Sequence, residues 1–231
     1  MFGGTRRAAK NQNGVVPLLL FDLDDTLTDR QSIFDAWARS FVSELGRGAQ
    51  EADWLIELDG SGYTPREEFF AQVIEQFSLD ESIDDLSERY HRDYVQSFRC
   101  TTEVVSALDR ARRAGFKIAI VTNGPTRAQA SKIAAAGLRE LVDACCISEA
   151  EGFWKPAPEL FRIAADRCGE RIDGAWMIGD NPATDIGGAA ALGISTVWLR
   201  LGRTWPADLE HEPTLQADGV PEAIAAILDY V

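Results

Sequence analysis

The chain has 231 residues, of which 45% are hydrophobic and 26% are charged, and its formal net charge is −14. This length suffices for one large hydrophobic core, or for a core with a smaller second unit. The acidic excess argues against general binding to nucleic acids or to a membrane surface, since both need a basic face. The four cysteines form no CxxC pair, so we expect reduced thiols in a cytoplasmic protein.

The first residues of the chain show no pattern of regular structure. We expect residues 1–13 to form a disordered arm, with an export signal as a minor alternative because Arg6 and Arg7 are adjacent. No apolar run in the sequence approaches the roughly 18 residues that a membrane-spanning helix requires.

Five short apolar runs predict β-strands. They are Leu18–Phe21, Lys117–Val121, Ala144–Ile147, Ala175–Ile178 and Ser195–Leu199. Helices are predicted at Glu103–Ala114, Arg127–Ala136, Glu159–Arg167 and 220–230, the last after a loop at 202–214. Strands that are apolar along their whole length and alternate with helices indicate a parallel sheet covered on both faces. The predicted fold class is α/β, with a doubly wound, Rossmann-like sheet.

A long segment interrupts this alternation, because roughly 95 residues separate the first two predicted strands, far more than a crossover helix needs. Its two apolar stripes have helical spacing and consist of Ile33, Phe34, Trp37, Phe41 and Leu45, and of Leu86, Tyr90, Tyr94 and Phe98. Between them, the sequence TPRE at 64–67 predicts a capping box with proline at the first helical position. We expect a helical subdomain at about 29–100 and an α/β core made of residues 14–28 and 101–231.

Polar side chains follow four of the predicted strands at their carboxyl ends, where doubly wound sheets bind ligands. They are Asp22, Asp24 and Thr26; Thr122, Asn123 and Gly124; Lys155 after a short loop; and Asp180 with Asp185. If extended geometry persists, Asp22 and Asp24 point to the same side. Two such carboxylates repel each other unless a cation lies between them or one is protonated. A small set of hard oxygen ligands suits Mg²⁺, while Lys155 and Thr122 suit an anion beside it.

Carboxylates, a metal and a phosphate-sized anion together suggest phosphoryl transfer. Asp22 can attack phosphorus, and Asp24 can give a proton to the leaving oxygen and later take one from water. Each segment taken alone is more simply explained as a turn, a helix cap or a surface residue. Their occurrence in order, at four consecutive strand ends, is what those simpler explanations do not account for.

Four segments of the chain carry a family resemblance. FDLDDTLTD, VTNG, KPAPELF and IGDNPATDIGGAAALG closely resemble, in this order, the motifs of the haloacid-dehalogenase-like hydrolase superfamily, over about residues 16–200. The long helical segment is similar to the cap of the subfamily that includes phosphoglycolate phosphatases, β-phosphoglucomutase and 2-haloacid dehalogenases. TNGPTRAQASKIAAAGL followed by EGFWKPAPELF is similar to the pyrimidine nucleotidase and N-acylneuraminate 9-phosphatase branch.

This resemblance implies a role for each residue at the end of the first two strands. Asp22 would be the nucleophile and form an aspartyl-phosphate. Asp24 would be the general acid and base, and would also bind Mg²⁺ through its backbone carbonyl. Thr122 would hold a phosphoryl oxygen, helped by backbone N–H groups near Asn123 and Gly124.

The resemblance also implies roles for the later motifs. Lys155 would neutralise the nucleophile and the phosphate, and would thereby contribute to catalysis and to substrate binding. Asp180 would bind Mg²⁺ together with Asp22, with Asp185 in a supporting shell. Apart from the resemblance, the position of Arg66 at the N-terminus of a predicted cap helix makes it a candidate to meet a substrate group, with a solvated side chain as the alternative.

The function expected from the sequence is Mg²⁺-dependent hydrolysis of a small phosphorylated metabolite, such as a nucleoside monophosphate or a sugar phosphate, through an aspartyl-phosphate. The dehalogenases of this superfamily lack an acid at the position of Asp24, which favours a phosphotransferase. A phosphosugar mutase remains an alternative because it uses the same motifs. A non-enzymatic phospho-acceptor or ligand-binding module is an alternative of another class.

Overall fold

The computed structural model describes residues 18–230, so the arm expected at residues 1–13 lies outside the described residues. The chain divides into two compact units. Asp29–Phe98 forms a helical unit, and the remaining described residues form an α/β unit. None of the described helices is both long and apolar enough to cross a membrane.

In the part of the chain that the structure describes, six parallel strands build the sheet of the α/β unit. They are β1 (Leu18–Phe21), β2 (Lys117–Thr122), β3 (Ala144–Ile147), β4 (Trp176–Gly179), β5 (Ser195–Leu199) and β6 (Leu215–Ala217). Their order across the sheet is β3-β2-β1-β4-β5-β6, which confirms the predicted doubly wound α/β class. Strand β6 is not predicted from the sequence, because this edge strand has only three residues and buries only its last one.

Within residues 18–230, ten helices connect and cover these strands or form the helical unit. They are α1 (Arg30–Glu44), α2 (Ala49–Asp59), α3 (Arg66–Phe77), α4 (Ile83–Asp93), α5 (Thr102–Arg113), α6 (Thr126–Ala135), α7 (Ser148–Glu151), α8 (Pro158–Cys168), α9 (Gly188–Ala190) and α10 (Val220–Tyr230). A π-helical turn at Pro182–Gly187 precedes α9 directly.

Strand β1 lies at the centre of the sheet, between β2 and β4. Leu20 is level with Ala119 of β2 and with Met177 of β4. Leu18 and Leu20 share a buried cluster with residues of α8, and the alternate residues Leu19 and Phe21 are equally buried. Both faces of β1 are therefore covered, which explains its continuous apolar sequence.

The core of the helical unit is largely aromatic. Trp37 of α1 meets Tyr90 of α4 edge to face, with ring centroids 4.9 Å apart, and Phe34 meets Tyr94 at 5.5 Å. These residues belong to the two stripes seen in the sequence. Because aromatic pairs of this geometry add to the free energy gained from burial, a unit of this small size can have a core of its own.

The predicted capping box at 64–67 was wrong. Helix α3 begins at Arg66, and Pro65 occupies the N-cap position without a side-chain hydrogen bond. The hydroxyl of Thr64 instead donates to the backbone carbonyl of Leu58 in α2, at 2.6 Å. The end of the preceding helix therefore competes for the group that would have capped α3.

A buried ion cluster joins three elements of the helical unit. Asp59, at the end of α2, is completely buried and pairs with Arg30 of α1 and with Arg66 of α3, the latter at 2.8 Å. Arg30 is also buried, and its guanidinium lies over the ring of Phe34. Both arginines place positive charge beside the carboxylate of Asp59. Burying that carboxylate without a cationic partner would be costly.

We predict that Asp59→Ala strongly destabilises the protein, because it leaves Arg30 buried without its carboxylate. The expected loss in the free energy of unfolding is about 3–5 kcal/mol, measured by urea denaturation followed by circular dichroism. The matched control is Asp53→Ala, which breaks an exposed pair with Arg39 and should cost less than about 1 kcal/mol. Similar losses in both variants would contradict the importance of the buried cluster.

Candidate active site

Three carboxylates converge beyond the carboxyl ends of β1 and β4. Asp22 follows β1 directly, Asp180 follows β4, and Asp185 lies in the π-helical turn. One carboxylate oxygen from each lies within 4.8 Å of those of the other two. Because β1 and β4 are neighbours in the sheet, the topology itself brings together side chains that are more than 150 residues apart.

Lys155 connects two of these carboxylates. Its Nζ lies 2.6 Å from Oδ1 of Asp22 and 2.7 Å from Oδ1 of Asp185, and its side chain is only 3% exposed. The side-chain amide of Asn123 holds the backbone of Lys155 from both sides. Nδ2 of Asn123 donates to the carbonyl of Lys155 at 3.0 Å, and the N–H of Lys155 donates to Oδ1 of Asn123 at 2.8 Å.

Burial dominates the electrostatics of the cluster. Desolvation raises the pKa of Asp22 well above its ordinary value; Lys155 opposes this, and Asp185 and Asp180 reinforce it. Desolvation and Asp185 also raise the pKa of Asp180 to about 7, against the opposing effect of Arg203. Burial alone would lower the pKa of Lys155, but Asp185 and Asp22 raise it above its ordinary value, so the amine stays protonated.

The cluster therefore holds more negative charge than its cationic side chains balance. A divalent cation among the three carboxylates would correct this excess. The donors are hard oxygen atoms and few in number, which fits Mg²⁺ with part of its water shell retained. The residues present thus suit the metal ion that the sequence analysis expected.

The carboxylate of Asp24 has its partners on helix α6. Lys132 of α6 places its Nζ 2.9 Å and 2.7 Å from the two carboxylate oxygens of Asp24, and Gln129 donates to one of them at 3.0 Å. Strand β1 ends at Phe21, and the chain then turns, with the N–H groups of residues 27 and 28 both bonded to the carbonyl of residue 23. That the side chains of Asp22 and Asp24 point to the same side remains a prediction, and so does a metal role for Asp24 through its backbone carbonyl.

The three residues after β2 have different surroundings. Thr122 is buried, and its hydroxyl oxygen accepts a hydrogen bond from Gln129 at 2.7 Å, which leaves its own proton to donate. The N–H of Gly124 donates to the hydroxyl of Ser148 at 2.9 Å. In this structure Gly124 therefore has a partner inside the protein, and Asn123 supports Lys155.

Arg66 lies in the helical unit, where it pairs with Asp59 and donates to the hydroxyl of Tyr90 at 3.3 Å. Its guanidinium also lies over the ring of Phe69, 4.8 Å from the centroid. These contacts bind Arg66 to other residues of the helical unit. A contact with substrate remains a prediction.

Three cationic or amide side chains of the site were missed from the sequence. Gln129 and Lys132 are buried on α6, on the same face as Ile133. Two polar residues on the apolar face of a helix are the sequence feature that could have indicated their role. Arg203 donates to the carboxylate of Asp180 at 3.0 Å and to its backbone carbonyl at 2.8 Å. It comes from the loop after β5, where no periodic pattern indicates which way a side chain points.

Comparison with known proteins identifies the family. The family model described as haloacid dehalogenase-like hydrolase matches residues 16–193, which is most of the chain. This protein is a haloacid dehalogenase-like hydrolase. The resemblance proposed from the four sequence motifs is thereby confirmed.

Curated relatives of this hydrolase are phosphatases. It is 32% identical over 205 residues to a phosphoserine phosphatase of Thermus thermophilus, covering 85% of this chain and 80% of the relative. It is 25% identical to a glyceraldehyde 3-phosphate phosphatase of Pyrococcus furiosus, covering 85% and 86% of the two chains. The crystal structure of a haloacid dehalogenase (HAD) phosphatase from Thermococcus onnurineus has the same fold, with a TM-score of 0.63, 21% identity and coverage of 91% and 97%.

We predict that the metal-free hydrolase loses stability at Asp180 as the pH rises. The pKa of Asp180 is about 7 in the folded protein against an ordinary value of 3.8, so the folded state binds this proton more tightly than the unfolded state does. Raising the pH through this interval removes the proton and the stability it provides. In EDTA, the melting temperature of Asp180→Asn should therefore rise relative to wild type between about pH 5 and about pH 8.

The control for this measurement is Asp173→Asn, which changes a well exposed carboxylate of the same unit. Its melting temperature relative to wild type should show little dependence on pH over this interval. If Asp180→Asn behaves like the control, burial does not raise the pKa of Asp180.

Proposed function

We propose that this hydrolase is a Mg²⁺-dependent phosphatase that acts on a small phosphorylated metabolite through an aspartyl-phosphate on Asp22. The observation that carries the proposal is the contact of the buried Lys155 ammonium with Asp22. Asp22 is itself a member of the cluster of three carboxylates that suits a cation. A carboxylate can attack a phosphate dianion only if positive charge offsets their repulsion, and this arrangement provides it.

The residues divide the reaction into two transfers. An oxygen of Asp22 attacks phosphorus while the bond from phosphorus to the leaving oxygen breaks, and Asp24 gives that oxygen a proton. Asp24 then takes a proton from water, which attacks phosphorus, releases inorganic phosphate and restores Asp22. Thr122 donates its hydroxyl proton to a phosphoryl oxygen, and Lys155 stabilises the negative charge on both partners.

Mg²⁺ would be held by Asp22 and Asp180 together with the backbone carbonyl of Asp24, with Asp185 beside them. When bound, it supplies positive charge that lowers the repulsion between nucleophile and phosphate. Asp185 also orients Lys155, since the two side chains are 2.7 Å apart. This contact gives Asp185 a part in the site beyond support of the metal.

We assign the helical unit, Asp29–Phe98, as a cap that selects the substrate. Its insertion directly after the turn that carries Asp22 and Asp24 supports this assignment. The names of the relatives add phosphoserine and glyceraldehyde 3-phosphate to the nucleoside monophosphates and sugar phosphates considered from the sequence. A cytoplasmic location is supported by the four free cysteines.

The test is release of inorganic phosphate from a panel of these phosphomonoesters. Wild-type protein should turn over at least one of them with Mg²⁺, and EDTA should abolish the activity. Asp22→Asn should lower kcat by at least about a thousandfold, because the amide cannot replace the nucleophile. Asp173→Asn removes an exposed carboxylate before the start of β4, whereas Asp180 follows the end of that strand, and it should retain wild-type turnover.

Three outcomes would contradict the proposal. Folded protein that releases phosphate from no ester in the panel would not be a general phosphatase. Conversion of a phosphosugar into its isomer, with little free phosphate, would instead establish the mutase. Full activity of Asp22→Asn would remove Asp22 from the nucleophile's role even if the protein is a phosphatase.

A further inference from the structure

Helix α6 directs two buried polar side chains toward the end of β1. Gln129 is 2% exposed and Lys132 is 7% exposed, and they are three residues apart, so both lie on one face of the helix. Lys132 contacts both carboxylate oxygens of Asp24, and Nε2 of Gln129 donates to Oδ2 of Asp24 and to Oγ1 of Thr122. Neither side chain belongs to the four motifs that marked the site in the sequence.

We propose that Gln129 and Lys132 are positioning residues for the reaction, and that they act by holding the carboxylate of Asp24 in a fixed place relative to Thr122. The proposal rests on the proposed function, in which Asp24 transfers the proton and Thr122 holds the phosphoryl group. It adds two residues to that site and assigns them a common task.

The cost of burying these side chains supports a specific role. A lysine loses hydration and conformational freedom when it is buried, and a buried amide must find partners for its polar atoms. Apolar residues would cover the sheet at lower cost, as Ile133 does on the same helix face. Lys132 contacts both oxygens of the Asp24 carboxylate and Gln129 contacts one of them, so that together they restrict its rotation.

The local backbone also makes room for Gln129. Gly124 has a φ of +145°, and a Cβ at this position would lie 3.0 Å from Cγ of Gln129. A larger residue would push Gln129 away from Thr122 and Asp24. The turn after β2 and the helix that follows it are therefore shaped around this amide.

The consequence is a continuous chain of contacts from Lys132 through Asp24 and Gln129 to Thr122. Asp24 and Thr122 both contact the amide of Gln129. This shared contact fixes the position of the proton donor relative to the group that holds the phosphoryl oxygen. Correct placement of reacting groups contributes a large part of enzymatic rate acceleration, and small displacements cost activity.

The experiment compares two esters and two genetic backgrounds. An alkyl phosphate that wild type hydrolyses needs a proton on its leaving oxygen, whereas p-nitrophenyl phosphate has a leaving group that departs without one. Lys132→Met and Gln129→Leu should lower kcat/KM for the alkyl ester by about 10- to 100-fold and that for p-nitrophenyl phosphate by much less. In the Asp24→Asn background, the same substitutions should have little further effect on the alkyl ester, since they act through Asp24.

The matched control is Lys117→Met. Lys117 also pairs with an aspartate, Asp143 at 2.7 Å, but it lies at the start of β2, at the opposite end of that strand from Thr122. It should leave both kcat/KM values near those of wild type. Melting temperatures of all variants identify any that do not fold, and Gln129→Leu serves alone if Lys132→Met is one of these.

The outcomes separate this proposal from the one on which it rests. Equal losses on the two esters, or an undiminished loss in the Asp24→Asn background, would mean a merely structural role and overturn the proposal, while the phosphatase assignment would stand. Wild-type protein that hydrolyses no alkyl phosphate of the panel and no p-nitrophenyl phosphate would overturn both.

Discussion

The ammonium of Lys155, shared between Asp22 and Asp185, is the interaction on which the site depends. Two buried carboxylates and a half-buried one cannot lie within 4.8 Å of one another unless positive charge accompanies them. Lys155 supplies part of that charge from a loop that two other elements support. Asn123 binds its backbone, and a Cβ at Gly188 would lie 2.9 Å from Cα of Pro156. The smallest residue in α9 thus lets the loop that carries Lys155 approach closely.

The sheet brings the members of this cluster together because β1 occupies its centre. The chain moves from β1 to β2 and β3 on one side, and to β4, β5 and β6 on the other. The carboxyl end of β1 is therefore the switch point of the topology, where ligands bind in sheets of this kind. Hydrogen bonding of the Asp22 N–H to the carbonyl of Ile178 extends the contact between β1 and β4 up to the nucleophile itself.

Two polar networks lie at this edge of the sheet, and each holds one of the two aspartates that follow β1. One joins Lys155 to Asp22 and Asp185, where we place the metal and the covalent step. The other runs through α6 and holds Asp24, where we place proton transfer. The nucleophile and the acid therefore have different cationic partners although they are two residues apart.

The sequence by itself determined the fold class, the bounds of five strands to within one residue, and the convergence of Asp22, Lys155, Asp180 and Asp185. Continuous apolar strands followed by polar residues are local patterns, and parallel strands must place such residues at one edge. Only the tertiary structure decided which side chains contact Asp24, that Gln129, Lys132 and Arg203 belong to the site, and that β6 is present. Each of these depends on where a turn or a loop leads the chain, and on which distant groups compete for a hydrogen bond, as the hydroxyl of Thr64 also shows. Local patterns carry no information about such competition. Its outcome depends on the relative free energies of alternative hydrogen bonds, and only folding brings the competing partners together.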